Sequence, residues 1–340
     1  MIRQKTNWNR RSLLFSILAL AAAIALLAAA GCARGEKSPG AELEEITVLL
    51  DWSPNTNYSG LYVARDKGFY AEEGLSVEIV EAPGSVIQLV STGQEEFGVS
   101  YQEEVTFARC EAVPVVSIAA ILQHNTSGFA SLKEKEITTP ADFEGHSYGG
   151  WGSPVEEATI RALMEHGQAD FEKVEIVTTG EVDSLIVLRE VADFAWIYYG
   201  WTGIQAELEG LELNFIPLRE IDPVLDYYTP VLAAGEGLLA EKPELVRRFL
   251  RATARGYEAA IAEPGEAAAI LLANAPELDE ALVNASQEWL KDYYRAGAPR
   301  WGVQKREVWE GYTRWLYERG LIEELIDVDQ AFTNDFLPQP

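Results

Sequence analysis

The sequence predicts an α/β protein of two lobes, each a mostly parallel sheet flanked by helices, followed by a helical C-terminal region. Three observations carry this. Short β-rich runs alternate with helical ones between residues 46 and 216. After Tyr228 the pattern turns to long amphipathic helices. The 340 residues make two compact units at roughly 100–200 residues each.

The N-terminus comes first. Residues 1–32 hold Arg3, Lys5, Arg10 and Arg11, no acid, and a nearly unbroken apolar run over 13–30. A basic segment feeding such a run is the pattern of a secretory leader. The run is long enough to span a bilayer once, but Ala29-Ala30-Gly31 directly before Cys32 resembles a lipobox, with Ala29 where Leu is usual. Cleavage there makes Cys32 the lipidated, palmitate-bearing first residue of a chain held on the extracytoplasmic face of the cell membrane. Arg10-Arg11-Ser12 also carries a weak twin-arginine pattern. Residues 33–45, rich in Gly, Ser, Pro and charge, read as a tether.

Strands are then predicted over 46–50, 76–80, 97–100 and 115–121, with helices over 60–67, 86–92 and 105–109 between them. A second set of strands, 147–149, 174–177, 194–197 and 213–216, interleaves with helices over 155–166, 184–191 and 203–208. Further helices are expected over 244–262, 264–273, 278–294 and 305–319. In the first of these Val246, Phe249, Leu250, Thr253, Tyr257 and Ile261 share one face.

Charge narrows the function. Asp and Glu number 54 against 27 Lys and Arg, and the leader takes four of the bases and none of the acids, so the exported part stands at −31. Such a chain has no basic footprint for nucleic acid or anionic lipid. Its 9 Trp, 14 Tyr and 12 Phe also mark it as folded. Beyond Cys32 the only cysteine is Cys110, so no disulfide is available within the exported chain.

Ligands of open α/β sheets sit beyond the carboxyl ends of the strands, so the loops there hold the candidate site. The first reads Asp51-Trp52-Ser53-Pro54-Asn55-Thr56-Asn57-Tyr58, and Trp52, Asn55, Asn57 and Tyr58 are its candidates, although a turn alone explains Pro and Asn. The next gives Tyr101, Gln102 and Glu103, where an acid also suits a helix N-terminus. Gly149-Gly150-Trp151-Gly152-Ser153-Pro154-Val155-Glu156 joins a strand to a helix, with Ser153 as N-cap, Pro154 at the first helical position and Glu156 completing a capping box. Trp151, Ser153 and Glu156 are candidates; the acids there repel a phosphate. The last loop adds Tyr198, Tyr199 and Trp201, whose flat faces suit a planar ring. His124, His146 and His166 are scattered, and no nucleophile, P-loop or metal-ligand spacing is present, so no catalytic residue, metal or cofactor is expected.

Asp51 to Asn57, Gly60-Leu61-Tyr62-Val63-Ala64, Gly68-Phe69-Tyr70-Ala71-Glu72-Glu73-Gly74-Leu75 and Gly150-Trp151-Gly152-Ser153-Pro154 together resemble the periplasmic binding proteins related to thiamine-pyrimidine synthases. The resemblance runs over about 46–325. It implies a two-lobed binding protein, monomeric, that hands a small ligand to an ABC permease and through it an ATPase. It implies a first lobe of 46–130 plus 228–340 and a second of 131–227. Members bind thiamine-pathway pyrimidines or riboflavin; the eukaryotic synthases use a Cys-rich iron site and an active-site His, and this chain lacks that Cys cluster. The candidate loops hold no Lys or Arg, which excludes an anionic ligand. Seven aromatics offer more flat surface than one pyrimidine needs and favour riboflavin; a carboxylate facing an aminopyrimidine serves the alternative.

Overall fold

The computed structural model describes residues 43–180 and 182–339. The leader, the lipidation site Cys32 and the tether up to residue 42 lie outside the described residues.

Along the chain the strands are β1 (Glu44–Leu50), β2 (Leu75–Glu81), β3 (Phe97–Ser100), β4 (Val115–Ala120), β5 (Ser127–Leu132), β6 (Ser147–Gly150), β7 (Glu175–Thr178), β8 (Phe194–Tyr198), β9 (Leu213–Pro217) and β10 (Val231–Gly235). They form two five-stranded sheets, ordered β2-β1-β3-β10-β4 and β7-β6-β8-β5-β9. In each sheet four strands share one direction and one opposes them: β10 runs antiparallel to β3 and β4, and β5 to β8 and β9. The chain path explains it. The chain leaves the first sheet at the carboxyl end of β4, crosses over 121–126, and enters the second as β5, which therefore starts where its neighbours end. It returns between β9 and β10 in the same manner.

The sequence reading found eight strands and missed β5 and β10. Their sequences, Ser-Gly-Phe-Ala-Ser-Leu and Val-Leu-Ala-Ala-Gly, are rich in small residues of low strand propensity. Close neighbours impose that smallness: a Cβ on Gly128 would lie 2.4 Å from the Ile216 carbonyl oxygen, and one on Gly235 2.4 Å from that of Val90. The lobe boundary expected at 130/131 falls inside β5 and is corrected to the crossover that precedes it.

Burial of the expected apolar faces builds one core per sheet. In the first, Phe97 of β3 stacks on Phe249 of the long helix Pro243–Ala262 at 3.9 Å. Helix Ser59–Asp66 approaches the same long helix through glycines; a Cβ on Gly256 would sit 2.0 Å from the Gly60 carbonyl oxygen. The second core is aromatic, with Phe143 stacked on Phe194 at 4.3 Å and Phe129 edge-on to Phe143, Tyr148 and Trp196.

The helical C-terminal region does not belong to the first lobe alone, as the expected division had it. In helix Arg306–Glu318, Trp309 joins the buried cluster of Leu49, Val105 and Val231, whereas Tyr312, Trp315 and Leu316 join that of Tyr148, Ile160 and Phe194. The residues around it also cover the outer edge of β4: Ala120 N–H donates to Gly302 O at 3.0 Å and Thr333 N–H to Ser117 O at 2.9 Å. An edge strand is thereby closed to pairing with another chain.

The glycine contact between the helices has a measurable weight. Gly256→Ala should destabilise the protein by about 2 kcal/mol or more, because two backbones must separate. Gly265→Ala, in helix Pro264–Asn274 with nothing within 4 Å of its Cβ, should change stability by less than about 0.5 kcal/mol. Urea unfolding of the pair checks this.

Candidate ligand-binding cleft

The loops after β1 and β3 of the first sheet and after β6 and β8 of the second bring part of the candidate set together, Tyr101 and Glu103 near Tyr198, and Asn55 and Asn57 near Tyr198 and Trp201. In the first loop Asn55 Oδ1 accepts the Asn57 N–H at 3.0 Å and caps a short turn, Thr56–Tyr58. Helices behind the loop hold its carbonyls: the Tyr294 hydroxyl donates to Thr56 O at 2.6 Å and that of Tyr257 to Asn57 O at 2.8 Å. Trp52 is left 56% exposed at the rim. Tyr58, expected on the ligand, is instead 1% exposed, and its hydroxyl donates to Asp51 Oδ1 at 2.8 Å. Its ring packs in the core, so the correction assigns it to positioning Asp51.

Acids without bases gather beyond β1 and β3. Burial pushes the Asp51 carboxyl up to about 6, partly opposed by the Tyr58 hydroxyl and reinforced by Glu104. Burial likewise pushes Glu103 up to about 7 against the Tyr312 hydroxyl, 3.2 Å away, with Glu104 and Glu156 adding repulsion. Glu104 is raised for the same reason, although Ser100 Oγ donates to it at 2.6 Å. Among the described residues none of these three carboxyls meets a Lys, Arg or His within ion-pair distance. The phenols of Tyr101 and Tyr198 are raised by burial beside these carboxylates, Glu104 being the strongest charge on Tyr101 and Glu103 on Tyr198. Gln102 is turned away: fully buried, its Oε1 accepts the Tyr228 N–H at 2.9 Å and its Nε2 donates to Val308 O at 3.3 Å. It clamps the returning crossover from within the core.

The glycine loop after β6 wraps its own carboxylate. Glu156, 1% exposed, accepts from the Tyr148 hydroxyl at 2.5 Å and from the backbone N–H groups of Trp151, Gly152 and Ser153 at 3.1, 2.7 and 2.7 Å. The glycines serve that approach: a Cβ on Gly150 would meet Glu156 Oε1 at 2.0 Å, and Gly152 has φ of 96°. Ser153 caps helix Pro154–His166 in the expected capping box. A nest of amides is an anion site by nature, and here Glu156 fills it. Glu156 and Ser153 are therefore structural, a correction of their expected ligand role, whereas Trp151 remains 45% exposed with its edge against Trp196 at 5.7 Å.

After β8 the chain makes a π-helical turn, Tyr199–Gly203, which splits the three aromatics. Tyr198 is 40% exposed and lies among Glu103, Asp51 and Glu156. Tyr199 turns toward helix Ile204–Leu208 and β9, its hydroxyl donating to Glu207 and its ring 4.8 Å from Phe215, apart from Tyr198. Trp201 packs against the first core and, with Asn55, Asn57 and Tyr198, lines a cavity of about 20 Å³, the space of about one water. A larger groove, about 980 Å³, lies along helix Glu280–Arg295 and is lined by His124, Arg219, Asp226, Trp289 and Tyr293; none of the thirteen candidates lines it. Sequence reasoning did not single out Asp51, Glu104 or Tyr312. For the first two the signal was available, an acid at the end of a strand; the partner of Glu103 lies 209 residues away and left none.

A family model described as NMT1/THI5 like matches residues 55–267. The chain belongs to the NMT1/THI5-like family. Within it, the formylaminopyrimidine-binding protein of Halalkalibacterium halodurans is 32% identical over 94% of this chain and 98% of that one. The riboflavin-binding protein RibY of Chloroflexus aurantiacus is 26% identical over 87% of both chains. Among solved structures, the periplasmic aliphatic sulphonate-binding protein SsuA of Escherichia coli superposes with a TM-score of 0.67 at 13% identity, covering 84% of this chain and 96% of that one. This NMT1/THI5-like protein thus has the periplasmic-binding-protein fold.

Two outcomes follow from the acids. Asp51 and Glu103 bind protons more tightly folded than unfolded, so ligand-free stability should fall by roughly 2–5 kcal/mol from about pH 4.5 to 7 and level off above, once both states have lost the protons; urea unfolding across that range reads it. Glu156→Ala should cost about 3 kcal/mol or more, since one phenol and three amides lose their acceptor, measurable as a fall in unfolding midpoint.

Proposed function

We propose that this protein is an extracytoplasmic binding protein of an ABC importer and that its cleft takes an aminopyrimidine of the thiamine pathway. The observation that carries this is the set of carboxyls beyond β1 and β3, Asp51, Glu103 and Glu104, which have raised proton affinity and no base within ion-pair distance among the described residues. An exocyclic amino group donates to a carboxylate, and a carboxyl that keeps its proton near neutrality donates back to a ring nitrogen. The flavin ring offers a single N–H and two carbonyls, a poorer match to three acids. The aromatic surface that favoured riboflavin also shrinks, since Tyr58 is in the core and Tyr199 faces elsewhere. Trp52 and Trp151 remain as exposed rims on the two lobes, suited to stacking on one flat ring. The relative at 32% identity is named for a formylaminopyrimidine, which supports the same order.

A binding role is preferred over synthesis because Cys110 is the only cysteine beyond Cys32, so a Cys-rich iron site cannot form. The leader and lipobox supply the route to the outer face of the membrane, with Cys32 as the anchor.

Calorimetry with a formylaminopyrimidine, an aminomethylpyrimidine and riboflavin tests the reading. Tight pyrimidine binding with indifference to riboflavin is expected; the reverse would restore the flavin. Trp151→Ala should weaken the bound ligand by at least about 1 kcal/mol.

A further inference from the structure

The two ligand loops are joined by a relay that runs through a helix neither belongs to. Ser286, fully buried in helix Glu280–Arg295, lies between them. Its hydroxyl donates to the Gly200 carbonyl oxygen, in the π-helical turn between Tyr198 and Trp201 of the second lobe. Its oxygen is 2.6 Å from Thr56 Oγ1, in the first-lobe loop between Asn55 and Asn57. The direction is determined by chemistry. A carbonyl only accepts, so the single Ser286 proton goes to Gly200, and the Thr56 hydroxyl must donate to Ser286.

The surroundings leave the relay no freedom. Thr56 is 1% exposed, and its own carbonyl is held by the Tyr294 hydroxyl at 2.6 Å, about two turns further along the same helix. A Cβ on Gly200 would lie 2.9 Å from the Leu290 side chain and 3.0 Å from that of Trp289, so the turn packs closely on the helix and a larger residue would have to displace them. A π turn inside a helix start is itself an unfavourable geometry that recurs at functional sites.

We infer that Thr56 and Ser286 are positioning residues that hold the first-lobe loop of Asn55 and Asn57 in register with Tyr198 and Trp201, so that the two lobes present one ligand surface. The hydroxyl pair carries no ligand contact; it acts through the loops. The inference rests on the cleft being the binding site proposed above.

Thr56→Val keeps the shape and removes the hydroxyl, Thr56→Ser keeps the hydroxyl, and Ser286→Ala removes the middle of the relay. In the ligand-free protein, hydrogen exchange of the amides over 199–203 is followed, together with the dissociation rate of a formylaminopyrimidine from the complex. Thr56→Val and Ser286→Ala should each raise exchange in that second-lobe turn and speed dissociation about fivefold or more, Thr56→Ser should do neither, and the double variant should be no worse than either single one. Unchanged exchange over 199–203 in Thr56→Val, or equal effects of Thr56→Val and Thr56→Ser, overturns the relay. If the pyrimidine fails to bind the parent protein, the proposed ligand falls, and the ligand-free exchange still decides for or against the relay.

Discussion

The chain crosses between the two sheets twice, and both crossings lie at the carboxyl ends of the parallel strands. From that constraint the rest of the cleft follows. A strand entering from the other lobe must start at the cleft and so opposes its neighbours, as β5 and β10 do. The crossovers then lie beside the ligand loops and are fastened there: Gln102 holds the backbone at Tyr228, and Asp226 accepts from the Asn125 N–H at 2.9 Å while meeting His124 Nδ1 at 2.7 Å. Residues next to the ligand loops thus also set how the lobes meet.

Into this junction the protein places acids. Burying a carboxyl among others without a base disfavours its ionised form, which is why Asp51 and Glu103 hold protons to about 6 and 7. That arrangement reduces stability near neutrality and is tolerated because the two cores on either side are large and aromatic. It also selects: a ligand bringing N–H donors relieves the repulsion, and one bringing negative charge increases it.

The alternation of apolar runs made the layered α/β architecture and the loops beyond the strand ends legible in the sequence. What pattern could not supply was side-chain direction at the strand ends. Tyr58, Tyr198 and Tyr199 look alike in sequence. Asp51 draws the first into the core, the π-helical turn sends the third toward Phe215, and only the second faces the cleft. The same limit applies to Gln102, whose amide is claimed by a backbone 126 residues away. β5 and β10 were invisible for a different reason: they are rich in small residues of low strand propensity, and Gly128 and Gly235 answer to neighbours from distant segments, Ile216 and Val90.

Glu156 shows how local chemistry and ligand class are connected. A glycine loop opening onto a helix N-terminus gathers unpaired N–H groups, and an oxyanion is their natural partner. In this chain the third residue of the helix folds back and supplies the oxyanion from within, using both carboxylate oxygens on three amides and the Tyr148 phenol. The nest is then satisfied before any ligand arrives, and the negative charge stays fixed near Glu103 and Tyr198. One internal carboxylate thus occupies the donors that an anion would need and places an acid beside them.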